Sequence, residues 1–225
     1  MKVRKLFVYA GVTSAAALLL PVAYAQHRWD APHIVTGNCS GCHGVDGNAQ
    51  PPYLPRLAGL NAGYAARRIA EFRAAASPPV DELFYKIVAP HSHPGDEGRL
   101  QARINMIGIA HAMTPEQIKE STAWYGVQKP ETGQSGDPAL IQAGKLLFLK
   151  GMPAQGMPAC QGCHGAHAEG KGSTPRLAGQ NGNYIVREMV KFKAGDRQHA
   201  PEMSMVAEHV DIEQFRALAA YLQSR

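Results

Sequence analysis

Where polar and apolar positions along this chain are regular, they recur at the 3.6-residue spacing of helices, and no stretch alternates at the two-residue period of a strand. The stretch "PALIQAGKLLFLKG" (138–151) places its apolar residues at helical spacing and stops at a glycine. Two more helices are marked by their caps. Thr114, Pro115 and Gln117 supply an N-cap, a first-turn proline and a capping-box partner ahead of Ile118, Trp124 and Tyr125. Asp211 and Gln214 take those cap roles ahead of Ile212, Phe215, Leu218, Ala219 and Leu222, a helical apolar face. Met113 and Val210, each one residue before its cap, read as apolar staples. The pattern predicts an all-α chain.

The helices belong to an internal repeat. "PRLAGLNAGYAARRIAEF" (55–72) returns as "PRLAGQNGNYIVREMVKF" (175–192) at a fixed offset of 120. Between the copies lies "QKPETGQSGDP", beginning at Gln128, polar and rich in Gly and Pro, as a linker is. The expected organisation is a first domain over 26–127, a linker over 128–137 and a second domain over 138–225. Residues 1–25 are expected to be a signal peptide: a basic start (Lys2, Arg4, Lys5), an apolar run over 6–20 and small residues for cleavage after Ala25. The apolar run is shorter than the roughly 20 residues that span a bilayer, which disfavours an uncleaved anchor.

Export changes the charge. The 225-residue chain has a formal net charge of +5, from 23 Lys and Arg against 18 Asp and Glu. Three basic residues and no acid leave with the leader, so the mature balance is 20 against 18. A value of +2 in an exported protein gives no support for a nucleic-acid partner.

The four cysteines stand as "CSGCH" from Cys39 and "CQGCH" from Cys160. Disulfides are the first rival in an oxidising compartment, but a thioredoxin-like pair expects a βαβ background that is missing. A zinc site would have to join pairs 121 residues apart and would leave a histidine after each pair unexplained. Cys-x-x-Cys-His uses all three residues if Cys39 and Cys42, and Cys160 and Cys163, each bind a haem c covalently, with His43 and His164 as iron ligands. Two haems are therefore expected, one per repeat.

The sixth iron ligand separates electron carriers from enzymes, since Met opposite His raises the potential and an open position permits chemistry. Met106 lies eight residues before the Thr114 cap, and Met203 eight before the Asp211 cap. No other methionine pair matches in this way. Met205 aligns with Gly108, which cannot ligate, and reads as packing or a haem-edge contact, with ligation as its alternative. Met152, Met157 and Met189 are expected in core or loop roles. Phe72 to Met106 is 34 residues and Phe192 to Met203 only 11, so the first domain carries an insertion of 23, roughly 77–103. It holds His91 and His93, expected to lie in a solvated loop, with metal binding, titration or partner contact as alternatives. His111, His167 and His209 have no repeat equivalents and read as surface or haem-edge residues. An axial imidazole normally donates its other N–H to a fixed acceptor, and the carbonyls of Pro55 and Pro175 are candidates.

Two Cys-x-x-Cys-His units, each followed by "PRLAG" and a Tyr-bearing helix, then a Met and a capped final helix, resemble the dihaem cytochrome c4 family. The phrase "DPALIQAGKLLF…GMPACQGCHG" is especially similar to the start of that family's second domain, and the resemblance covers essentially the whole mature chain. It implies two tandem cytochrome c class I domains with a pseudo-twofold relation and propionates near the interface. It also implies axial pairs His43–Met106 and His164–Met203, with Arg56, Arg176, Tyr64 and Tyr184 as candidates for holding propionates. Leu60, where the second unit has Gln180, departs from the family pattern. The implied function is a periplasmic, non-enzymatic carrier moving single electrons from a quinol-oxidising complex or another cytochrome to a terminal oxidase, with peripheral membrane contact compatible with that role. The alternatives are a haem subunit of a flavocytochrome c type dehydrogenase, or a dihaem peroxidase or thiosulfate dehydrogenase.

Overall fold

In the first half, a π-helical turn, Val35–Cys39, runs directly into helix α1, Ser40–His43. The computed structural model describes residues 30–74, 97–197 and 199–225, with the backbone alone for 97–104. Helices α2 (Ala62–Ala74), α3 (Glu97–Ala112) and α4 (Pro115–Gly126) complete that half. The second half holds α5 (Pro138–Lys150), α6 (Gln161–His164), α7 (Gly182–Lys193), α8 (Pro201–Glu208) and α9 (Ile212–Gln223). Among the described residues there is no strand, only the isolated bridges Met152–Met157 and Lys171–Thr174.

Both capping boxes form. Gln117 N donates to Thr114 Oγ1 at 3.2 Å, and Thr114 N to Gln117 Oε1 at 2.9 Å. Asp211 and Gln214 repeat the exchange at 2.8 and 2.9 Å. These bonds satisfy backbone donors that a helix start leaves orphaned, so α4 and α9 begin where the sequence predicts. Helix α9 then buries Phe215, Leu218, Ala219, Tyr221 and Leu222 against Phe148 of α5 and Ile185, Met189 and Phe192 of α7, the core of the second half. The α5–α9 crossing is tight because Gly144 has no side chain; a Cβ there would overlap the Ala217 carbonyl. Ile34, Val35, Leu54, Ala58, Leu60, Ala110, Met113 and Tyr125 fill the smaller core of the first half.

The 23-residue excess expected over 77–103 is not all loop. Helix α3 already begins at Glu97 and has 16 residues against 8 in α8, because "EGRLQARI" is rich in strong helix formers. His91, His93, most of that insertion and the leader over 1–25 lie outside the described residues.

The connection between the halves is a seated strap. Asn48 Oδ1 accepts from Glu131 N at 2.9 Å, Asn48 Nδ2 donates to Lys129 O at 3.1 Å, and Gln134 N donates to Gln223 O at 2.9 Å. Residues from Pro32 to Arg225 form one compact unit. Within it, Arg68 of α2 meets Glu188 of α7, its equivalent at offset 120, as positions near a twofold axis do.

Candidate haem sites

Each Cys-x-x-Cys-His turn is held by the polypeptide that follows it. His43 is 5% exposed and His164 6%. His43 Nδ1 lies 2.9 Å from the Pro55 carbonyl and His164 Nδ1 lies 3.0 Å from the Pro175 carbonyl. A carbonyl only accepts, so the Nδ1 atoms carry the protons and the Nε2 lone pairs are left to bind a metal. Burial lowers both imidazole pKa values, against the opposing pull of the proline carbonyls, and favours the neutral, ligating form. In the first half, Trp124 Nε1 donates to Val45 O at 2.7 Å and Tyr125 OH to Gly44 O at 3.0 Å, pinning the turn that follows His43.

None of the four cysteines is in a disulfide. Burial, with a smaller push from Cys42, raises the Cys39 thiol to about 11. Burial likewise raises Cys160 to about 11. Neither is the low-pKa thiolate of a redox-active pair.

A single cavity of about 650 Å³ joins the two halves. Cys39, His43 and Met106 border it from one side and Cys163, His164 and Met203 from the other. Met113, Met157 and Met189 also reach its wall, but only Met106 and Met203 are a matched pair ahead of the two caps. Met205 is 58% exposed and does not line the cavity. His111, His167 and His209 are exposed and do not line it either, whereas His199, which the repeat did not single out, does.

Tyr64, Tyr184 and Arg176 border the cavity, but Arg56 does not. Arg56, a propionate candidate by resemblance, has protein partners instead. Its Nη1 donates to Gly179 O at 3.1 Å, its Nε to Ala49 O at 3.4 Å, and its Nη2 lies 3.5 Å from Glu131. The guanidinium is thus spent on fastening the two halves and the strap together. Gln180 completes that clasp, accepting from Arg56 N at 2.8 Å and donating to Arg56 O at 2.9 Å. Asn181 adds bonds to Leu54 O at 2.7 Å and Pro51 O at 3.1 Å. The side chain of Leu60, the repeat equivalent of Gln180, has no polar atom with which to reciprocate.

The cavity wall also carries a buried charge cluster that sequence reasoning missed. Glu188 Oε2 lies 3.3 Å from Arg68 and 3.2 Å from Arg197, and its Oε1 lies 3.5 Å from Lys191 and 3.6 Å from Arg187. Arg68 and Arg197 also pair with Glu71. Burial raises the Glu188 pKa, but the four cations outweigh it and hold the carboxyl well below the usual range. Within α7, "VREMVK" has the look of a solvated helix face, yet Arg187, Glu188 and Lys191 are buried, with Arg68 of the other half and Arg197 of the following loop as ion-pair partners of Glu188.

The buried Nε atoms of Arg176 and Arg197 have no hydrogen-bond partner, and that of Arg187 has only the Glu188 carboxylate, at 3.6 Å. All three residues line the cavity. Unused buried donors call for an anionic acceptor, and the paired carboxylates of a haem suit them. Cysteines outside any disulfide, beside a neutral, oriented imidazole, suit its covalent edge and its iron.

Comparison with known proteins agrees with this chemistry. The sequence model of the cytochrome c family matches twice, over residues 30–124 and 141–225, so the chain is a two-domain c-type cytochrome. Cytochrome c4 of Azotobacter vinelandii is 30% identical over 190 residues, 82% of this chain and 83% of that protein. The crystal structure of reduced cytochrome c4 from Pseudomonas stutzeri superposes with a TM-score of 0.68 at 28% identity, covering 89% of this chain and 97% of that one. A "thiosulfate dehydrogenase electron acceptor" of Thiomonas intermedia strain K12 is 30% identical over 89% of this chain and 84% of its own length. The chain belongs to the dihaem cytochrome c4 family. It is an electron-transfer cytochrome with two covalently bound haem c groups, one per Cys-x-x-Cys-His motif.

Proposed function

We propose that the protein is an exported, periplasmic relay in which His43 and Met106 ligate one iron and His164 and Met203 the other. The observation that supports this reading is the shared cavity, which His43, Met106, His164 and Met203 all line. Each haem, when bound, stores one electron as its iron cycles between ferric and ferrous states. The chain supplies the rest. The Pro55 and Pro175 carbonyls fix the tautomer and orientation of the axial imidazoles. Arg176, Tyr64 and Tyr184 would hold the propionates, with Arg197 added to that set by its unused Nε donor. The surrounding apolar core excludes water and keeps reorganisation small.

In this role the protein performs no bond chemistry. Its donor is a quinol-oxidising complex or another cytochrome and its acceptor a terminal oxidase. Similarity to a relative described as a thiosulfate dehydrogenase electron acceptor favours one second reading, a donor that is a periplasmic sulfur-oxidising dehydrogenase. Domain limits at 26–127 and 138–225, and cleavage after Ala25, belong to the same proposal.

Ferric spectra of single variants test the ligands. Met106→Ala and Met203→Ala are each expected to remove half of the methionine-to-iron absorption and leave the other half. If either variant keeps the full band, that ligand assignment fails.

A further inference from the structure

Helices α2 and α7 each carry in their last turn a basic residue whose side chain reaches the end of the next helix, the one that carries the proposed methionine ligand. Arg73, in the last turn of α2, donates through Nε to Ala110 O and through Nη2 to Met113 O. Lys193, in the last turn of α7, donates through Nζ to Glu208 O at 3.2 Å and to Val210 O at 2.7 Å. The two cations are repeat equivalents at offset 120, and Met113 and Val210 are equivalent staple positions ahead of the caps. Arginine in one half and lysine in the other make the same connection with different chemistry.

We propose that Arg73 and Lys193 are positioning residues for the axial methionines, each fastening the C-terminal end of a methionine-bearing helix. The proposal rests on the assignment of Met106 and Met203 as iron ligands. Neither cation borders the cavity, so each acts through its helix rather than on the haem. The last carbonyls of a helix have no partner within it, and a cation placed there satisfies them and complements the helix dipole. The need is acute in α8, whose 8 residues are too few to hold a helix without outside contacts. Met203 stands only five residues before the fastened Glu208 carbonyl, and Met106 only four before that of Ala110. Ala110, Ala207 and Val210 are fully buried, so the fastened ends are seated in the core while the methionines project towards the cavity from the preceding turn. Releasing the clamp frees the helix to fray from its end and lets a competing ligand displace the methionine.

Imidazole titration of the ferric dihaem protein tests this, with loss of methionine-to-iron absorption as the readout. Lys193→Leu is expected to raise imidazole affinity roughly tenfold at one haem only, the size expected for a lost charged hydrogen bond, and Lys193→Arg to restore it. Arg73→Leu and Arg73→Lys should do the same at the other haem. Unchanged affinity in both leucine variants, or leucine effects that the conservative variants do not reverse, would overturn the proposal. Thermal unfolding of each variant separates general destabilisation from displacement at a single haem. A Met203→Ala protein that keeps both absorption bands would instead overturn the ligand assignment beneath it.

Discussion

His43 and Glu188 show how differently two buried polar side chains can be read. His43 was legible because the residues that define its role lie close by: two cysteines in the preceding turn and the Pro55 carbonyl twelve positions on. Glu188 was not, because its charge partners Arg68 and Arg197 come from another helix and from the loop after its own. The partners of Arg56 were hidden for the same reason, since Gly179 and Glu131 belong to distant parts of the chain. Glu188 has a folded pKa below its ordinary value of 4.5, so its pairing stabilises the fold above that pH and is lost as pH falls beneath it. Glu188→Gln should therefore lower stability at neutral pH by about 3–5 kcal/mol, the cost of breaking a buried ion pair. It should also flatten the acid limb of a denaturation series. An acid limb identical to that of the parent would show that Glu188 does not carry this linkage.

At the scale of elements, helix starts were read correctly wherever side chains of the same helix satisfy its backbone. Thr114 and Asp211 cap as the sequence predicts, and the structure adds Asp137, whose Oδ1 accepts from Ala139 N at 2.8 Å. The start of α3 escaped because nothing in "HPGDEGRL" marks a boundary as clearly as a capping box does. Asp211→Ala should destabilise α9 by about 0.5–2 kcal/mol, measured as a lower denaturant midpoint with an unchanged slope. Helix α9 packs on both α5 and α7, so the loss should appear as a shift of the whole second-half transition rather than as fraying alone. A separate early phase confined to α9 would contradict that view of the core.

For the whole molecule, the repeat was visible from sequence but the way its halves meet was not. Arg68 meets its repeat equivalent Glu188 across the interface with opposite charge, while Gln180 bonds the Arg56 backbone with a side-chain amide that its own equivalent, Leu60, lacks. A pairing of two identical first halves would set Arg68 against Arg68, so this contact favours the unlike pairing found within one chain. That pairing merges the two sites into one cavity and places Tyr64 and Tyr184 on its shared wall. The consequence is a two-centre relay, with one electron held on each side of the interface. A potentiometric titration of the intact protein, followed through the methionine-to-iron band and the ferrous haem bands together, tests this most directly. Two one-electron steps of equal amplitude, both starting from low-spin ferric haem with methionine bound, are predicted. A single step carrying one electron, or a high-spin ferric fraction amounting to one of the two haems, would contradict the relay.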